Sequence, residues 1–386
     1  MPSISGRRRG ICASINMPDK LQIALVRRGY SPSGGAETYL QRLAAGIAAR
    51  GHAVELVTTA EWPKNEWGLG PIRRLGATST IGFADELEQT RGQMRCDVLL
   101  SLERVWRCDV FRAGDGAHRA WLNRRKKFEL PLQRFVRELS GKHREILQLE
   151  EALLGKGGAG RVIVASRMVE REIVDLYGYP AEKIDLVRNG VPLERFRVDA
   201  SLREKSRADL KLEHDEIVLL FAGSGWERKG LLFAMEAMAM CRDRRLRLLV
   251  AGRGKTEPYF KSKRVRFLGE VVDLLPVYAA ADIFILPTIY DPFSNACLEA
   301  LACGLPVITT RANGFSEILE ENVHGSIVDE ANDVEALREA IANWSDRERR
   351  AAARSTIIER AAQFDISKNV EQTLQILTPM AATTAG

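Results

Sequence analysis

At 386 residues the chain is longer than one ordinary hydrophobic core organises, which points to two domains. Its 45% hydrophobic and 28% charged residues fit a soluble globular protein, and no run approaches the roughly 18 apolar residues of a membrane span. The formal charge of +6 is uneven: between Arg119 and Arg144 nine Lys and Arg stand against two Glu. The rest of the chain is therefore close to neutral, which argues against nucleic acid as a partner of the whole surface.

Residues 1–20 are basic but lack the apolar stretch of a secretory signal, so they read as a leader, with Met17 a candidate start of the fold. The six cysteines are scattered and the five histidines isolated from one another. That usage suits reduced core residues in a cytoplasmic protein and offers no metal site.

From Gln22 the text reads strand, loop, helix, strand. "QIALV" leads through "RRGYSPSGG", whose Pro and glycines forbid regular structure, into a helix with apolar Leu40, Leu43, Ala44, Ile47 and Ala48. Gly51 stops that helix and "HAVELVTT" is the next strand. "DVLLS", "DVFRAG", "RVIVAS" and "KIDLVRNG" give further short strands. After Asn189 the pattern restarts with "IVLLFAG", a helix "LLFAMEAMAMC", then "LRLLVAG", "VRFLG", "DIFILPT" and "PVITT", each fit for a buried parallel strand. The fold class is α/β, two doubly wound Rossmann-like domains. The boundaries fall at 21–195 and 196–361, with a helix about 362–378 able to pack back on the first domain.

Two glycine motifs fail on context. "GKGGAG" (155–160) precedes its strand instead of following one, the wrong order for cradling a pyrophosphate. "GRGKT" (252–256) lacks the first P-loop glycine, since residue 249 is Leu. There is no D-x-D to bridge a metal to a diphosphate.

Three other loops sit where strands end and helices begin. Gly34-Gly35 is either a tight turn or a close backbone approach to a phosphate or sugar. In "GSGWERKG", Arg228 and Lys229 stand at a helix mouth, as an anion site beside free N–H groups or as a solvated helix start. In "LPTIYDPFSNACLEALACGLPVITT", Ser294 or Asn295 caps a helix that carries Glu299 among Leu298, Ala300 and Leu301. A carboxylate there is costly unless something donates hydrogen bonds to it; a ribose diol would, and so would a buried salt bridge. Asp291, in the preceding loop, is placed to accept from sugar hydroxyls while the amides of 293 to 295 face the same ligand.

Asp291 through Glu299 resembles the E-x7-E motif of retaining GT-B glycosyltransferases of family 4, with "PF", "LEA" and "A-x-G-x-PV" around it. "GGAE", "NGV", "RKG", "AGRG", "FLG" and "AAAD" follow in the family's order over nearly the whole chain. One departure is Asp291 itself, where the family usually has Glu. "CDVFRAGDGAHRAWLNRRKK" is similar to the lipopolysaccharide core glucosyltransferase I branch. The resemblance implies a retaining, metal-independent hexosyltransferase with no cofactor, whose donor is a nucleotide sugar, UDP-glucose by the branch. The implied acceptor is a saccharide or glycolipid, as in lipopolysaccharide core. The implied donor site is Gly34, Gly35, Arg228, Lys229, Gly252, Pro292, Phe293, Ser294, Asn295 and Glu299, with Asp291 orienting the sugar and Asp115 facing the acceptor. His118 is a candidate donor or acceptor contact, or an ordinary loop residue. A non-catalytic nucleotide-sugar-binding subunit and a sugar-nucleotide epimerase are the alternatives.

The basic segment interleaves Trp121, Leu122, Phe128, Leu130, Leu132, Phe135, Val136 and Leu139 with its cations, and Pro131 splits it, with a second helix from Leu132. It reads as a solvated face or as an anchor for an anionic membrane surface through Arg124, Arg125, Lys126 and Lys127. That would place the protein at the cytoplasmic face of the inner membrane.

Overall fold

The computed structural model describes residues 20–31, 34–129, 141–254, 259 and 262–384. The expected leader lies outside these residues, apart from Lys20. So do Leu130 to Leu139, including the expected helix from Leu132.

Two parallel sheets form, each from alternating strands and helices. The first holds β1 (Gln22–Val26), β2 (Ala53–Thr59), β3 (Ile72–Leu75), β4 (Val98–Ser101), β5 (Cys108–Arg112), β6 (Ala159–Val164) and β7 (Ile184–Leu186), in the order β3-β2-β1-β4-β5-β6-β7. The second holds β8 (Ile217–Ala222), β9 (Leu246–Ala251), β10 (Val265–Gly269), β11 (Ile283–Leu286), β12 (Val307–Thr310) and β13 (Gly325–Val328), in the order β10-β9-β8-β11-β12-β13. The fold is thus α/β with two Rossmann-like domains. The central strands β4, β8, β11 and β12 are buried at every position, because helices cover both faces. β3 and β13 do not stand out in the sequence. Both are edge strands, and "IRRL" keeps two arginines where a central strand would need apolar side chains.

The strand order reverses between β1 and β4 and again between β8 and β11. The carboxyl ends of these strands face each other across one cleft, the place where such sheets bind ligands. The chain returns from the second domain at Phe364, whose carbonyl accepts from the Val191 N–H at 3.0 Å, while the Val191 carbonyl accepts from the Ile366 N–H at 3.1 Å. The closing helix, Ile366–Thr384, lies on the helix Gly35–Ala49, with Val370, Leu374 and Leu377 inside the first domain's core.

Candidate active site

The cleft has a volume of about 550 Å³ and takes its walls from both domains. The first domain supplies Arg27 at the end of β1, Gly34 and Gly35 at the start of the helix Gly35–Ala49, and Asp115 beyond β5. The second supplies Arg228 and Lys229 beyond β8, Asp291 to Asn295 beyond β11, and Glu299.

Glu299 sits in the helix Asn295–Ala302, which Ser294 caps by accepting from the Cys297 N–H at 3.3 Å. Its carboxylate is mostly buried, and both oxygens have partners. Oε1 meets Arg42 Nη2 at 2.7 Å, and Oε2 accepts from the Tyr278 hydroxyl at 3.1 Å. Burial and the Glu299 charge together push the Tyr278 phenol well above its usual range, so it stays a donor. Arg42 comes from the opposite domain, so part of the donor set this carboxylate needs is built into the protein.

Asp291 is 5% exposed and accepts Lys229 Nζ on Oδ2 and the Phe293 N–H on Oδ1 at 3.3 Å. Its backbone is pinned by the Ala312 carbonyl at 2.9 Å and the Gly314 N–H at 2.8 Å. The aspartate therefore reaches a cation without help from a longer side chain. The amides of Phe293 and Ser294 do not face a ligand as the sequence suggested. They donate to Asp291 and to Asn313 Oδ1, because buried N–H groups in a loop must be satisfied.

Arg228 and Lys229 close a single helical turn, Trp226–Lys229, flanked by Gly225 and Gly230 in the left-handed region. A Cβ at Gly230 would stand 1.9 Å from the Pro287 carbonyl, so this turn needs glycine. The amides of Lys229 and Gly230 donate to the Gly225 and Glu227 carbonyls. The Arg228 carbonyl accepts from the Ile289 N–H at 2.8 Å and the Thr288 hydroxyl at 2.9 Å, which locks the turn to the loop bearing Asp291.

Asp115 opens onto the cleft, with its side chain 49% exposed, and pairs with Arg27 Nη1 at 3.2 Å. Burial within the cleft walls pushes its carboxyl up, but Arg27, Arg104 and Arg228 more than reverse this and hold it below the usual carboxylate range. Its loop is fixed across the domain boundary. Tyr290, beside Asp291, donates to Glu172 at 2.7 Å and accepts the Ala117 N–H at 3.1 Å. Gly116, at φ 68°, lets that ring approach: a Cβ there would stand 2.3 Å from the Tyr290 hydroxyl.

Two expected site residues do not line the cleft. His118 pairs its Nε2 with His143 Nδ1 at 3.0 Å, at the start of the helix His118–Arg125, whose first amides are held by Glu150. Gly252 packs on Gly223, whose carbonyl would be 2.2 Å from a Cβ, so its role is to let β8 and β9 exits pass closely. The basic residues are partly committed to partners. Arg125 meets Glu129 at 2.6 Å and Glu227 at 3.1 Å, Lys127 meets Glu330 at 2.9 Å, and Arg124 approaches Glu172 at 3.4 Å. Lys126 also has a partner.

Sequence reasoning missed Arg27, Arg42, Asn189, Tyr278 and Tyr290. Arg27 follows a strand directly, the position where α/β sheets present ligand-binding groups, and that rule could have found it. Asn189 donates to Asn295 Oδ1 at 2.7 Å while accepting from buried Arg112 at 2.6 Å, a pairing across 106 and 77 residues that local text does not carry. Among the described residues, no group of three or more His, Cys, Asp or Glu could hold a metal ion.

Residues 216–346 match the family described as Glycosyl transferases group 1, and residues 33–195 match Glycosyltransferase Family 4. An uncharacterised glycosyltransferase of Methanocaldococcus jannaschii is 26% identical, over 79% of this chain and 84% of its own length. A D-inositol 3-phosphate glycosyltransferase of Pseudarthrobacter chlorophenolicus is 27% identical, over 85% of this chain and 87% of its own. Among solved structures, WaaG, a glycosyltransferase involved in lipopolysaccharide biosynthesis, superposes with a TM-score of 0.79 at 21% identity, covering 92% of this chain and 99% of that one. Anabaena HepE in complex with UDP and glucose gives 0.70 at 19% identity, covering 92% and 98%. The second domain thus carries a Glycosyl transferases group 1 region and the first a Glycosyltransferase Family 4 region, with both sheets facing a shared cleft, and the chain is a glycosyltransferase of GT-B type.

Proposed function

We propose that this glycosyltransferase moves a hexose, glucose by the branch it resembles, from a UDP-linked donor to a saccharide or glycolipid acceptor of the lipopolysaccharide-core kind. Transfer retains the anomeric configuration and needs no metal. The observation that carries the reading is one cleft in which Asp291, Glu299, Arg228 and Lys229 of the second domain face Asp115 of the first. Solved neighbours of the same fold hold UDP and UDP-glucose, which favours a uridine donor.

The chemistry follows from charge. As the bond from the anomeric carbon to the diphosphate breaks, negative charge gathers on the leaving group and positive charge on the sugar. Arg228 and Lys229 stabilise the first in a partly dehydrated cleft. Asp115, held ionised by its arginines, is a poor proton donor but suits the second, an oxocarbenium-like charge. Asp291 orients the sugar from beside Lys229, and Glu299 receives the ribose hydroxyls.

A binding subunit without activity drew its support from the aspartate at 291. Its contact with Lys229 gives that aspartate a place in the cationic cluster and weakens that reading. No helix among the described residues is long and apolar enough to cross a membrane, so contact with a membrane acceptor is proposed to be peripheral, at the cytoplasmic face of the inner membrane. The test is nucleotide release from a panel of UDP, GDP and ADP sugars, with and without truncated glycolipid acceptors, in EDTA. The reading expects release from a UDP-hexose only with acceptor and an unchanged anomeric configuration in the product. Acceptor-independent release, inversion, or a strict need for magnesium or manganese would overturn it.

A further inference from the structure

The Arg42–Glu299 pair gives Glu299 a partner from the opposite domain. Arg42 lies in the helix Gly35–Ala49, and its guanidinium rests over the Phe196 ring at 5.4 Å. Its side chain is 14% exposed and that of Glu299 10%, so the pair is poorly screened by solvent. Both residues line the cleft. With Tyr278 on Oε2, the two oxygens of Glu299 each already hold a donor. Tyr278 is fully buried, whereas Arg42 reaches Glu299 from across the cleft, so Arg42 is the donor a ligand can replace.

We propose that Arg42 sets the affinity for donor by competing with the ribose for Glu299. The inference rests on the reading that Glu299 receives the ribose. A ribose hydroxyl arriving at Oε1 must move Arg42 aside, and the apparent affinity falls by the fraction of molecules in which Glu299 is free. The exchange also releases a link between the domains, so binding at the second domain loosens the first at the helix Gly35–Ala49. The sequence placed no function on Arg42, which stands between the apolar positions Leu40 and Leu43 of that helix.

A nucleoside is the right probe, because it carries the ribose without the diphosphate that a lost arginine charge would also affect. Uridine, adenosine and guanosine are titrated calorimetrically into the full chain, wild type and Arg42→Ala, and the tightest of the three is compared. Arg42→Ala is expected to bind it roughly three- to tenfold more tightly, the scale on which one mostly buried ion pair competes. Arg42→Gln, which keeps length and polarity, should also bind more tightly, and it covers the case in which the alanine variant folds poorly. Equal or weaker binding by both variants overturns the proposal, as does no binding by any nucleoside to either protein. Adding Glu299→Gln to Arg42→Ala separates the two ideas, because no competing arginine is then left. If the double variant binds the nucleoside as Arg42→Ala does, the ribose reading itself fails; if it binds more weakly while the Arg42 variants match wild type, only the competition fails.

Discussion

Asp291 is one methylene shorter than the glutamate usual in the family, and its surroundings explain how the shorter residue serves. Its Oδ2 already contacts Lys229 and its Oδ1 takes the Phe293 amide, within a loop pinned at both its N–H and C=O. A longer side chain must displace one of these partners. Asp291→Glu is expected to overpack the loop, costing about 1 to 3 kcal/mol, and to lower turnover. A turnover well above wild type, read in the nucleotide-release assay, would mean that the aspartate weakens the donor site. Lys229 has two tasks that one variant would confuse. Lys229→Ala removes the charge proposed to face the phosphates and leaves Asp291 buried without its cation, with a stability loss of about 3 kcal/mol. Adding Asp291→Asn should restore most of the thermal stability but not the transfer activity. Recovery of both would deny Lys229 any part in the reaction.

At the scale of elements, the helix His118–Arg125 shows how burial sets a titration. Glu150 accepts from the His118 and Arg119 amides at 2.7 and 3.1 Å and from Arg104 at 2.8 Å, capping the helix with a buried charge. Burial, then Arg104, pushes the His118 imidazole down from 6.5 to about 4, with His143 adding to the push and Glu150 and Asp115 opposing it. Between pH 6.5 and 4 the unfolded chain binds a proton at His118 that the folded chain refuses, so stability falls as pH drops through that window. His118→Gln should shrink the loss of Tm between pH 7 and pH 5, measured by calorimetry. A loss equal to wild type would show that His118 titrates normally. Such pairings also mark the limit of what was legible in the sequence. The central strands, the helix carrying Glu299 and the loop carrying Asp291 were readable, because burial on two faces and a cap followed by an apolar run leave local patterns. The edge strands β3 and β13 were not, since one open side relaxes the pattern. Arg42 on Glu299, and Tyr290 on the Asp115 loop, are contacts between domains with no local periodicity to announce them.

Across the whole molecule, the same basic residues that suggested a membrane anchor also join the two domains. Arg125 reaches Glu227 and Lys127 reaches Glu330, both in the second domain, while Phe128 lies 5.9 Å from Phe233. An anionic bilayer would then compete with these carboxylates for the same cations. Lys127 is 64% exposed and its pair is worth little in water, so it can engage lipid at small cost. Lys126→Ser with Lys127→Ser is expected to weaken binding to anionic vesicles by about 2 kcal/mol, roughly thirtyfold, in a salt-dependent co-sedimentation assay. Binding equal to wild type would remove this segment from the membrane contact.

The proposed reaction turns on Glu299 receiving the ribose of the donor. Calorimetric titration of UDP into wild type and Glu299→Gln tests it most directly, because the substitution keeps shape and exchanges one acceptor oxygen for a donor amide. Loss of charge-assisted hydrogen bonding is worth about 1.5 to 3 kcal/mol, so UDP should bind the variant roughly 10- to 150-fold more weakly, with the fold intact by circular dichroism. UDP affinity unchanged in a folded Glu299→Gln protein would contradict the account.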